Sequence, residues 1–177
     1  VMAIINRTPD SFWGGNRLAD LDSALAALRT AVELGADIID VGGVRAGEEG
    51  EEVTTAMEIE RVVPFLELAR AAYPEVILSL DTWRAGVAAA AGPMIDLVND
   101  TWQGADPELV QVAGELGAGY VVSHSGGLAP RTDPRGVTYP PEPEGVRADV
   151  IRVLSEGAER ALAAGLPAER ILLDPTL

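Results

Sequence analysis

The stretch Val1-Met2-Ala3-Ile4-Ile5-Asn6-Arg7-Thr8-Pro9-Asp10 decides the architecture. Its opening apolar run is too short for a helix and reads as a buried parallel strand. A dinucleotide-binding sheet would follow that strand with a glycine-rich turn. Here the strand runs into Asn6-Arg7-Thr8-Pro9-Asp10 instead. A phosphate-binding loop ending in Gly-Lys is also excluded, because all 13 basic residues are arginine.

Outward from this stretch, short β-rich runs alternate with helical patterns. Ile38-Ile39, Val76-Ile77-Leu78, Leu97-Val98, Tyr120-Val121-Val122 and Ile171-Leu172-Leu173 read as further strands. Leu21, Leu25, Leu28 and Val32 fall on one helical face, which stops at Gly35. Thr55 with Glu58 reads as a capping box ahead of Ile59, Val63 and Leu66, in a helix that Pro64 should kink or split. A short helix is expected after Arg84. Asp106 as N-cap and Pro107 at the first helical position open a face of Leu109, Val112, Ala113 and Leu116. Val146, Val150, Val153 and Gly157 form the last. Strands alternating with helices mean an α/β protein with a parallel sheet. The expected fold is a (β/α)8 TIM barrel, a form that takes eight strands and about 250 residues. Only about six β/α units are legible. Val1 and Leu177 both abut strand-like runs, so a single domain over 1–177, cut at its C-terminal side, is expected.

Composition narrows the function. The 177 residues are 47% hydrophobic and 23% charged, which fits a globular domain and not a disordered tail. The net charge of −15 disfavours nucleic acid and anionic membrane surfaces as partners. The absence of cysteine removes disulfides, thiolate metal sites and cysteine nucleophiles. No run approaches the ~20 apolar residues of a membrane span. No secretory leader pattern is seen, so the cytoplasm is the expected compartment.

Each strand-like run ends in a polar residue: Asn6, Asp40, Asp81, Asn99 (then Asp100), His124 and Asp174. In a parallel barrel all strand C-termini open on one rim, where barrel enzymes place their sites. These side chains are therefore expected to converge on one mouth. Taken singly, Asp40 and Asp100 read more naturally as turn or helix-cap formers. His124, the sole histidine, is a candidate acid, base or ligand, and equally a satisfied strand-end residue. Trp83 and Trp102 are placed to wall a pocket for a flat ligand, although core packing is the commoner use of tryptophan. A mouth rich in carboxylates and amides suits a neutral heterocycle with several N–H donors.

Asn6-Arg7-Thr8-Pro9-Asp10-Ser11-Phe12 resembles the N-x-T-P-D-S-F signature of the dihydropteroate synthase family. Ile38-Ile39-Asp40-Val41-Gly42-Gly43 is similar to that family's second-strand motif. Leu80-Asp81-Thr82, Val98-Asn99-Asp100, Ser123-His124 and Leu173-Asp174-Pro175 fall at its next four strand ends. The resemblance spans essentially the whole chain and implies a pterin-binding (β/α)8 barrel. It implies a transferase joining 4-aminobenzoate to 6-hydroxymethyl-7,8-dihydropterin diphosphate, with release of pyrophosphate, in folate synthesis. Carried over by position, Asp81, Asn99 and Asp174 grip the pterin, and Asn6 lies by Mg2+ and the pyrophosphate. Thr8, Pro9, Asp10, Ser11 and Phe12, with Arg45, serve the second substrate. The catalytic set would be Asn6, Asp81 and His124. Pterin and 4-aminobenzoate are the implied partners, and a homodimer is compatible with the resemblance.

The chain departs from the pattern in its second loop. The family's Glu-Ser-Thr-Arg-Pro segment is replaced by Val44-Arg45-Ala46-Gly47-Glu48-Glu49. Four glutamates (Glu48, Glu49, Glu51 and Glu52) crowd that loop, and they should repel two anionic substrates. Arg7 adds a cation, expected near the pyrophosphate. Ser123 stands where the family has methionine. The lysine and the arginine–histidine pair of the family's seventh and eighth strands have no counterpart before Leu177. These features resemble a divergent synthase-like branch of the kind found in actinobacteria. The alternative is a pterin-binding paralogue without synthase activity. The pterin domain of a corrinoid methyltransferase shares the Asp–Asn–Asp pocket, but the Thr8–Phe12 loop argues against it.

Overall fold

The computed structural model describes residues 1–8, 17–45, 52–132, 137–139, 141 and 145–176, with 17–20 as backbone alone. The order is β1 (Met2–Asn6), α1 (Arg17–Glu33), β2 (Ile38–Gly42), α2 (Thr55–Ala72), β3 (Ile77–Asp81), α3 (Ala85–Ala91), β4 (Leu97–Asp100), α4 (Leu109–Leu116), β5 (Gly119–Ser123), α5 (Val146–Ala163) and β6 (Ile171–Asp174). The strands form one parallel sheet in the order β1-β2-β3-β4-β5-β6. Each helix contacts the next, α1 on α2 through to α4 on α5. A doubly wound sheet would divide its helices between two faces. A single helical layer around strands in sequential order is the barrel arrangement, as expected from the sequence.

Side chains alternate across each strand, and the two faces have different fates. Ile5, Ile39, Val41, Leu78, Leu80, Val98, Tyr120 and Val122 point outward into the helical layer and are buried. Against them pack Leu28 of α1, Val62, Phe65 and Leu66 of α2, Val87 of α3 and Leu109 of α4, each fully buried. The other face is apolar and open at its two edge strands, where Ile4 is 68% and Leu172 44% exposed.

Local details depart from the sequence expectations in three places. The N-cap of α2 is Thr54, not Thr55, and its hydroxyl accepts from Met57 N at 3.2 Å. The capping box is thus out of register by one residue, and Glu58 is free for other work. Pro64 neither splits nor ends α2, which runs unbroken through it. Pro64 removes one helical rung, and the burial of Val62, Phe65, Leu66 and Ala69 around it offsets that loss. Finally, α4 starts at Leu109 behind Glu108. Asp106 instead accepts from Ala85 N at 2.8 Å and from Glu108 N at 3.1 Å, so it caps the neighbouring α3.

Candidate functional site

The parallel register lays the inward-facing residues out in rows. One row reads Ile4, Asp40, Ser79, Leu97, Gly119 across the sheet. The next, nearer the strand C-termini, reads Asn6, Gly42, Asp81, Asn99, Val121, Leu172. Beyond it Ser123 pairs with Asp174. Period-two alternation therefore brings Asn6, Asp40, Asp81, Asn99 and Asp174 to one face and one end of the sheet.

The polar contacts among them are specific. Asn99 donates from Nδ2 to Asp40 Oδ2 at 3.0 Å, and Ser79 Oγ donates to Asp40 Oδ1 at 2.6 Å. Asp81 takes a hydrogen bond from Thr101 Oγ1 at 3.1 Å. Gly42 sits between Asn6 and Asp81 in the row. A Cβ on it would lie 3.3 Å from Asp81 Oδ2 and 3.4 Å from Asn6 Oδ1, so the missing side chain lets those two oxygens close over the backbone. Asp174 is half-buried, and its Oδ1 accepts from Thr176 N at 2.8 Å.

The electrostatics follow from crowding acids in a poorly solvated row. Burial, then the neighbouring Asp40 charge, push the Asp81 carboxyl up to about 7. Burial also raises Asp40, against the opposing hydrogen bonds from Ser79 and Asn99. A carboxylate so displaced is a functional-site signature when it faces a cleft. This row offers a guest the Asp81 and Asp174 carboxyl groups and the amide oxygens of Asn6 and Asn99.

His124 does not join this row. It lies on the opposite face with Tyr120 and Val122, its Nε2 is 2.9 Å from Asp149 Oδ2 of α5, and its ring stacks on Tyr139 at 6.0 Å. His124 thus ties the end of β5 to the start of α5 and stands apart from the inward row. Asp100 also faces outward, where it accepts from Tyr120 OH at 2.6 Å, Gly104 N at 2.7 Å and Trp102 N at 3.0 Å. Its turn-forming reading holds. Asp40 corrects the other way: it lies inside β2, not at its end, and belongs to the inward cluster. Arg7 is likewise outward, its guanidinium 5.7 Å over the Phe65 ring and its Nε donating to Arg61 O at 3.3 Å, rather than lining the mouth.

Around the mouth, Thr8 is buried and Arg45 exposed. Pro9, Asp10, Ser11 and Phe12 lie outside the described residues, as do Glu48, Glu49 and Glu51. Trp83 and Trp102 meet edge to face at 6.4 Å, and Arg84 covers Trp83 at 4.2 Å. Arg84 also pairs with the buried Glu58 and donates to Val53 O at 2.7 Å, while Thr82 Oγ1 donates to Glu58 Oε1 at 2.6 Å. This clamp ties the chain entering α2 to the tip of β3. A cavity of about 310 Å³ lies elsewhere, between α4, α5 and the outer face of β4 and β5. It is lined by Asp100, Tyr120, Val110, Ser123, Val153 and Arg160, and by none of Asn6, Asp40, Asp81, Asn99 and Asp174.

The model of the family described as "Pterin binding enzyme" matches residues 2–177. The chain belongs to the pterin-binding enzyme family. It is 51% identical over 177 residues to the "Inactive dihydropteroate synthase 2" of Mycobacterium leprae strain TN, a match covering 99% of this chain and 60% of that protein. The dihydropteroate synthase of Clostridium difficile, solved in the presence of pteroic acid, superposes with a TM-score of 0.85 at 30% identity, covering 98% of this chain and 62% of that one. The Xanthomonas albilineans dihydropteroate synthase with 4-aminobenzoic acid gives 0.82 at 31% identity, covering 98% and 60%. The chain thus spans about three fifths of the length of these relatives. Among the described residues, no helix is long and apolar enough to cross a membrane.

Two members of the inward cluster escaped the sequence reading, Ser79 and Thr101. A signal for Ser79 existed: in Leu78-Ser79-Leu80-Asp81 it is the polar residue two before Asp81, hence on the same face. Thr101 follows the strand, where no period applies.

Proposed function

We propose that the chain carries the pterin-gripping portion of a dihydropteroate synthase-like transferase. The observation that carries this reading is the row of Asp81, Asn99 and Asp174 on one face at the strand C-termini. A pterin presents a 2-amino group beside ring N–H groups, an edge that carboxylates bind in two places. Asp81, Asn99 and Asp174 would hold that edge. Asn6 Oδ1 would face the diphosphate end, and Thr8 and Arg45 would serve 4-aminobenzoate. The reaction would be condensation at the pterin methylene with loss of pyrophosphate, in the cytoplasm. His124 lies apart from these residues, against Asp149 and Tyr139.

Among the described residues, no three acidic or histidine groups gather into a metal cage. Asn6 nevertheless offers one hard oxygen beside the Asp81 carboxylate. That donor set fits a Mg2+ held chiefly by phosphate oxygens and water, with few protein ligands. When bound, Mg2+ would neutralise charge on the leaving diphosphate.

A second reading is supported by the 51% identity to a relative named inactive. In it the protein binds pterin and does not condense it. Titration calorimetry with 6-hydroxymethyl-7,8-dihydropterin diphosphate, followed by addition of 4-aminobenzoate and assay of pyrophosphate, separates the two. Binding with pyrophosphate release supports the synthase-like reading, and binding without release the second. Asp174→Ala is expected to abolish pterin binding; retained affinity would remove Asp174 from the site.

A further inference from the structure

Asp40 is almost wholly buried and is committed to two donors of this chain, Asn99 Nδ2 and Ser79 Oγ. It sits one row deeper than the residues proposed to meet the guest. Its contact with Asn99 has a chemical consequence. A side-chain amide has a donating end and an accepting end, and the two are interchangeable in shape. A carboxylate only accepts. With Asp40 holding Nδ2 from below, the Asn99 carbonyl is the end turned away from it, toward the mouth.

We infer that Asp40 is a positioning residue that fixes Asn99 as a hydrogen-bond acceptor and thereby selects guests with an N–H edge over those with a carbonyl edge. This rests on the pterin reading and deepens it, since it states which heteroaromatic edge the site takes and which it rejects. Ser79 bonds the other oxygen of Asp40 and does not touch Asn99, so it is no part of the lock. In Asp40→Asn the residue can give or take a hydrogen bond, so Asn99 is free to turn over and present its NH2.

The test compares two flat heterocycles, pterin and lumazine: C2 bears an amino group in the first and a carbonyl in the second, N1 bears a hydrogen only in lumazine, and the ratio reads the contact at C2. The native chain is expected to prefer pterin. Asp40→Asn is expected to shift the pterin-to-lumazine affinity ratio toward lumazine by roughly tenfold or more. Ser79→Ala removes a donor but leaves the Asp40 acceptor, so its ratio should stay within about twofold of the native value. If Asp40→Asn weakens both ligands in parallel, or leaves the ratio unchanged, the inference is overturned. A measurement on the unmodified chain guards against misfolding of the variant. One side-chain N–H of Asn99 should exchange slowly by nuclear magnetic resonance, and two freely exchanging protons would overturn the lock. A native chain that binds neither heterocycle defeats the pterin reading itself. One that binds pterin but fails the ratio test defeats only the role of Asp40.

Discussion

Asp81 and Thr82 are neighbours in sequence and face opposite sides of the sheet, as do Asn99 and Asp100, and Ser123 and His124. The outward members are fully engaged by protein. Thr82 bonds Glu58, Asp100 receives three donors, and His124 meets Asp149 and Tyr139. The inward members are engaged less, and Asp81 has a carboxyl displaced to about 7 with one threonine hydroxyl to support it. Polar residues one position apart therefore do structural work on one face, while Asp81 and Asn99 stand ready for a ligand on the other. Buried polar groups with all partners satisfied stabilise; those left short of partners mark a site.

Four experiments can break or sharpen this contrast. The largest effect is expected from the outward side. Glu58→Ala leaves the Arg84 guanidinium without its buried partner and should cost about 3–5 kcal/mol in urea unfolding. A loss below about 1 kcal/mol would show the clamp to be incidental. Next, Asp81→Asn and Asp100→Ala should have opposite profiles. Asp100→Ala strands the Tyr120 hydroxyl and two backbone N–H groups, so it should lower stability by about 2–3 kcal/mol and leave pterin affinity nearly intact. Asp81→Asn should weaken pterin binding by roughly tenfold or more and leave the unfolding midpoint near native at neutral pH. Matching profiles for the two variants would erase the distinction between the faces.

The third test is pH. The folded Asp81 pKa is raised to about 7 from the ordinary 3.8, so the folded chain holds that proton more tightly than the unfolded one. Its contribution to stability is full below the unfolded value and is lost as pH rises through about 7. The unfolding free energy should therefore decline between those two values, and Asp81→Asn should flatten that part of the profile. An unchanged slope in the variant would assign the titration elsewhere. The smallest effect is expected from His124→Ala. It should cost about 1 kcal/mol, speed amide exchange at the start of α5, and leave pterin affinity unchanged. A large loss of affinity would return His124 to the site.

The fold was legible because periodicity is dense where it matters. Runs such as Tyr120-Val121-Val122, apolar on both faces, announced parallel strands, and the 4,3,4 spacing in α1 announced a helix. Helix starts were less legible. Thr54 and Thr55 carry the same hydroxyl, and only backbone geometry chooses between them. Asp106 shows why: its carboxylate reaches a helix 21 residues earlier in the chain, which no local motif reveals. The site was legible as a set of strand tips but not as a face. Listing His124 and Asp100 with Asp81 ignored the alternation that separates them, and taking Asp40 as a strand terminus hid its place in the deeper row. The two-residue period sorts Asp100 from Asn99 on one strand, whereas Asp40 and His124 lie on other strands and are placed only by the register between strands.

The Arg84 clamp bears on how this protein can change over time. Because one guanidinium holds Glu58, Val53 and the face of Trp83 at once, the segments on either side of it share a single point of failure. Substitutions near Val53 and near Trp83 should be non-additive, so a variant tolerated alone should destabilise by a different amount when the other is also changed. The two loops behind β2 and β3 therefore act as one mechanical unit.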